Sequence, residues 1–130
     1  MAWVWDDFNG FLLQLGFDST LINRGPYIPP MPAKLVTFTF IGGAGALAEG
    51  ALDDQQFQMR VRGDANDQTG PEAMAYQYDE LLVSAPIPQV IGSLNLRTIE
   101  RSGSPPSPLG PPDDGDRYEY VSNYRMVVGT

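Results

Sequence analysis

The chain is predicted to fold as an α+β two-layer domain with a mainly antiparallel four-stranded sheet, one helix packed on a face of that sheet, and long Pro/Gly-rich loops. Three observations lead there. From Gln55 to Arg62 the residues alternate without a break, Phe57, Met59 and Val61 pointing one way and Gln56, Gln58, Arg60 and Arg62 the other. That is the period of a strand with one face on a core. Two segments of helical period are interleaved with four of strand character, in the order helix–strand–strand–helix–strand–strand. At 130 residues the chain is expected to form a single domain spanning 1–130, long enough to bury roughly 65–70% of its unfolded surface.

Trp5, Phe8, Phe11, Leu12 and Leu15 recur at spacings of 3, 3, 1 and 3, which predicts a helix over Trp5–Leu15 within an N-terminal helical unit, 1–16. Asp6 and Asp7 suit its positive end, and Gly16 suits its stop. Residues 18–34 hold Gly25-Pro26, Pro29-Pro30 and Pro32 and read as an extended connection. The β-branched and aromatic run Leu35–Ile41 predicts the first strand, and Gln55–Arg62 the second. The small residues Gly42–Gly50 between them read as a flexible loop. A phosphate cradle is disfavoured there, because no Gly-Lys-Ser/Thr ends it and no strong helix follows.

Thr69-Gly70-Pro71-Glu72 has the form of a capping box with proline in the first helical turn. Met74, Tyr78, Leu81, Leu82 and Ala85 then trace an apolar stripe, and Pro86 ends the helix. Gln89–Arg101 reads as a third strand, with Leu94, Leu96 and Thr98 on one face and Asn95, Arg97 and Ile99 on the other. Residues 102–116, rich in Pro, Ser, Gly and Asp, read as a long exposed loop without regular structure. Arg117–Val128 is the last strand, with Tyr118, Tyr120, Tyr124 and Met126 sharing a face.

Composition removes several function classes. The chain has no cysteine and no histidine, which removes thiol chemistry, the Ser-His-Asp triad and the commonest metal ligand. A net charge of -8 opposes a nucleic-acid grip, which needs Lys and Arg against phosphate. The cations are one lysine, Lys34, and seven scattered arginines. No apolar run approaches the roughly 18 residues of a membrane span, and Met1–Asp7 lacks the basic start of a signal peptide.

The acidic candidates read as structural. Asp113, Asp114 and Asp116 beside Gly115 lack the later acid of a calcium loop, Glu119 being too close, and suit a solvated turn. Asp53, Asp54, Asp64 and Asp67 flank the second strand with nothing to raise a pKa, and suit strand-end and helix-entry roles. Trp3 and Trp5 suit core anchors of the first helix. No catalytic, metal or cofactor residue is assigned. The polar face Gln56, Gln58, Arg60 and Arg62 reads either as an ordinary solvated sheet face or as a candidate protein interface, and the second reading gains on three counts. Arg is enriched at such surfaces, Arg97 and Arg125 can lie on neighbouring strands, and a row of arginines in so acidic a chain is most simply paired with acids of another subunit.

The run Phe57-Gln58-Met59-Arg60-Val61-Arg62-Gly63, a short link and a helix, then Leu109-Gly110 and Gly115–Tyr124, resembles the minor capsid or tail-terminator proteins of long-tailed bacteriophages. The likeness is strongest to those infecting Gram-positive and actinobacterial hosts and covers roughly residues 35–128. It departs from the family pattern at Phe57, where the family has valine, and in the proline content of 102–116. The resemblance implies a non-enzymatic virion protein of the tail or neck, made in the host cytoplasm. It would form a homo-oligomeric ring, commonly six-fold, that caps the tail tube and joins it to the head-side connector or stopper. Genomic DNA would pass through the lumen unbound, since six copies carry about -48. Ring-contact candidates are then Gln56, Gln58, Arg60, Arg62, Gly43, Gly45, Leu47, Leu109, Asp116 and Arg117. Two rival readings are another neck component, a head-completion or stopper protein, and a cellular α+β ligand-binding domain.

Overall fold

In the computed structural model, which describes residues 3–46 and 52–129, β-structure dominates. The elements are α1 (Trp5–Leu15), β1 (Ile22–Arg24), β2 (Leu35–Ala46), β3 (Leu52–Ala65), α2 (Thr69–Val83), β4 (Gln89–Ile91), β5 (Leu94–Arg101), β6 (Ser107–Pro108) and β7 (Arg117–Gly129). The strands form one curled, half-barrel sheet in the order β1-β2-β3-β7-β5-β4, with β6 also paired to β7. β1 runs parallel to β2 and the other pairings are antiparallel.

The expected four-stranded α+β sheet is therefore corrected to a mostly β, seven-stranded mixed sheet. Two of its extra strands, β1 and β6, come from segments that sequence alone reads as connections, and β4 comes from a predicted strand that divides in two. Ile22–Arg24, inside the proline-rich 18–34 segment, lies against Val36–Phe38. The expected third strand is a hairpin instead, folded at Gly92, whose φ of 56° lies in the left-handed region. A bulge between Leu96 and Thr98 also flips the expected faces of β5, so that Leu94, Leu96 and Ile99 are the buried residues.

Two more corrections concern loops. β2 continues through Gly42 to Ala46, with register shifts against β3 around Gly42 and Gly45, so half of the expected glycine loop is strand. In the 102–116 segment, Ser107 and Pro108 pair with Val121 and Tyr120. The Leu109 N–H donates to the Glu119 carbonyl at 2.9 Å. Successive N–H groups in an extended chain point to opposite sides, so the donor-less nitrogen of Pro108 falls on the open side of the ladder, where an edge tolerates proline.

The alternating core residues of β2, β3 and β7 face both helices in one apolar cluster. Phe8 of α1 meets Phe38 and Phe57 edge-on at centroid distances of 5.7 and 5.2 Å. Phe17 stacks on Tyr78 of α2 at 4.2 Å. α1 ends as its glycine predicts: the Gly16 and Phe17 N–H groups donate to Leu13 and Leu12 carbonyls, with Gly16 at φ 104°. α2 does not begin with the expected capping box. Thr69 is already helical, and the Asp67 carboxylate accepts the Gly70 N–H at 2.9 Å. Entry to α2 also requires Gly63, because a Cβ there would lie 2.6 Å from Pro71 Cδ.

Candidate functional site

The side of the sheet turned away from the helices carries a band of polar side chains, joined mostly by contacts across strands. In this band the Arg60 Nη2 donates to the Glu119 carboxylate at 2.7 Å, and Gln58 to the Asn123 side chain at 3.4 Å. Arg125 grips both oxygens of buried Asp54 at 2.8 and 2.9 Å and reaches Glu100 at 3.3 Å. The hydrogen bonds to Asp54 and then Glu100 raise the Arg125 pKa further. These are partners within one chain, where the sequence reading placed acids of another subunit.

Arg62 departs furthest from expectation. It is only 4% exposed. Its Nε donates to the Ala33 carbonyl and its Nη2 to the carbonyls of Pro29 and Pro32, all at 2.8 Å. Desolvation, and then the nearby Arg117 charge, lower its pKa. Arg117 adds a donor to the Pro30 carbonyl and a bond to Asp113 at 3.0 Å. Pro29, Pro30 and Pro32 have no N–H to offer a strand. Their carbonyls still need partners, and the fork of an arginine supplies several donors at once.

Of the remaining ring-contact candidates, Asp116 adjoins this clamp through the Asp113–Arg117 turn and the others lie apart from it. Gln56 sits across from Arg125 in the ladder, and Gly43 and Gly45 fall in the irregular part of β2. Leu47 lies outside the described residues. Leu109 is 39% exposed. Asp116 adopts φ 58° at the tip of the β7 turn, and its carbonyl accepts the Asn66 N–H. In that turn Asp113 accepts N–H bonds from Gly115 and Arg117. Its burial raises its pKa, but those hydrogen bonds together outweigh it, and the net shift is downward.

On the core side, Asp79 of α2 is buried and bonded to Arg101 at 2.6 Å and to the Tyr124 hydroxyl at 2.7 Å. Tyr124 also shares a hydrogen bond with Ser122. Burial pushes the Tyr124 pKa well up, helped by the Asp79 carboxylate and opposed by Ser122. This network pins α2 to β5 and β7 in the core.

Sequence reasoning missed one surface feature. Between β1, β2 and the start of α1 lies a cavity of about 170 Å³ lined by Trp3, Trp5, Arg24, Pro26, Thr39 and Phe40, among others. The Arg24 guanidinium sits 5.6 Å from the centre of the Trp5 ring. The Trp3 indole N–H, almost wholly buried, has no partner among the described residues. The signal for it was the Trp-x-Trp spacing at the head of the first helix, where Trp3 anchors the core and Trp5 is only half-buried. Among the described residues there is no cluster of three metal-ligating side chains and no helix long and apolar enough to cross a membrane.

No protein-family model matches the chain, and no curated protein matches it. Among solved structures it is similar to a chain from the virion of a native gene transfer agent particle. The TM-score is 0.67 at 18% identity, covering 92% of this chain and 84% of that one. At that identity the likeness speaks for the fold.

Proposed function

We propose that the chain is a structural protein of a phage-like virion, a ring-forming tail terminator that caps the tail tube and joins it to the head-side connector. The observation that carries this reading is the shared fold with a gene transfer agent virion chain over nearly the whole length of both. The lack of histidine and cysteine, and of any metal-ligating cluster among the described residues, supports a non-enzymatic role. A subunit of this kind works by shape: a head-to-tail interface closes the ring, and one ring face matches the end of the tube. The acidic bore then passes DNA without holding it.

The test is reconstitution with polymerised tail-tube protein, viewed by negative-stain microscopy. Rings of about six copies seated on tube ends are the expected result. Tubes left bare, with the chain still monomeric at high concentration, would overturn the reading. Rings that bind connector protein and ignore tubes would move it to a head-completion or stopper protein.

A further inference from the structure

We infer that the cavity beside Trp3 and Trp5 is a docking pocket for the proline-rich segment of a second copy of this chain. The inference rests on the ring reading and supplies the contact that would join neighbours. An aromatic wall with a free indole N–H is the chemistry that receives an extended proline-rich strand. The proline ring stacks on the aromatic faces, and a carbonyl accepts the indole hydrogen bond. Trp3 lines the cavity, and its buried indole N–H has no partner among the described residues. At about 170 Å³ the cavity is smaller than the roughly 300–1,000 Å³ of small-molecule sites. It suits one inserted ring of a partner.

The occupant is suggested by charge and by topology. Arg24 at the cavity rim is exposed and has no ion pair among the described residues, only the Trp5 ring. Residues 103–112 expose Pro105, Pro111 and Pro112, and just beyond them Asp114 and Asp116 are exposed and likewise unpaired among the described residues. That segment is tied by β6 to β7, whereas the cavity lies at the β1–β2 edge. β3 and β7 separate the two edges, a span of roughly 14 Å at ordinary strand spacing. β6 anchors the segment at the edge away from the cavity, so the occupant is taken to be the segment of a second copy; contact between opposite edges is heterologous, the kind that closes rings.

Both tryptophans of the chain line the cavity, so intrinsic fluorescence reads it directly. A synthetic peptide of residues 103–116 should shift tryptophan emission of the dilute full chain in a saturable way. A peptide with every proline replaced by alanine should bind at least tenfold more weakly. Arg24→Glu in the protein should weaken binding by a similar factor, and Asp114→Lys with Asp116→Lys in the peptide should restore it. No emission change at millimolar peptide, or equal binding by the alanine peptide, overturns the inference without needing any protein variant. Rings that assemble on tubes while the peptide fails would sink this contact and leave the ring reading standing. A peptide that binds a chain that never forms rings would do the reverse.

Discussion

The Arg62 guanidinium binds three backbone carbonyls, and among the described residues it pairs with no carboxylate. Removing it strands the acceptors of Pro29, Pro32 and Ala33 in a partly buried seam. Arg62→Ala should therefore cost about 2–4 kcal/mol, read as a lower urea midpoint. Arg62→Lys should recover less than half of that, because an ammonium cannot reproduce the planar fork. An unchanged midpoint in the alanine variant would show that the clamp carries no weight. Tyr124 makes a second prediction. Its folded pKa lies above the unfolded value of about 10. The stability this provides is complete below that pH and is lost as pH rises past it, where the unfolded chain gives up the proton first. Urea midpoints taken above pH 10 should fall less steeply for Tyr124→Phe than for the parent chain.

At the scale of elements, the entry to α2 depends on two small features. Gly63 lets Pro71 rest against β3, and a Cβ there would lie 2.6 Å from the proline ring. Both backbones are fixed, so Gly63→Ala should cost about 1–3 kcal/mol by overpacking. The Asp67 carboxylate, which takes the Gly70 N–H, is the working cap, and Asp67→Ala should cost about 1 kcal/mol. Thermal unfolding by circular dichroism checks both, and Thr69→Ala serves as the contrast. If Thr69→Ala lowered the midpoint more than Asp67→Ala, the cap assignment would be wrong. The mistaken box is understandable: Thr-x-x-Glu has the right spacing, but Glu72 is engaged by the Tyr120 hydroxyl at 3.0 Å. Tertiary contact took the residue that a local motif had reserved.

For the whole molecule, charge and sheet edges decide behaviour. At -8 the chain should not retard duplex DNA in a gel even at about 50 mM salt, where phosphate binders hold tightest. A clear shift would contradict a bore that lets DNA slide. The free edges lie at β1 and β4, with β6 a third short piece, and these strands span only 3, 3 and 2 residues. Short edges limit indiscriminate strand pairing and leave side-chain contacts to set the neighbours.

The alternating residues of β3 were readable in sequence because period 2 is a local property, and Phe57, Met59 and Val61 are indeed buried. α1 was readable for the same reason, its apolar spacing and Gly16 lying within one short window. The missing histidine and cysteine and the acidic balance are likewise plain from composition. The neighbour of each strand is another matter. Arg60 and Glu119 meet across 59 residues, and the β1–β2 pairing joins a proline-rich stretch to a strand with no local mark of it. A period says which side chains share a face but not what covers that face. Whether Arg62 meets solvent, a second subunit or the carbonyls of its own chain was settled only when the 29–33 segment folded across the sheet. The cavity beside the tryptophans likewise exists only because β1 and β2 come together.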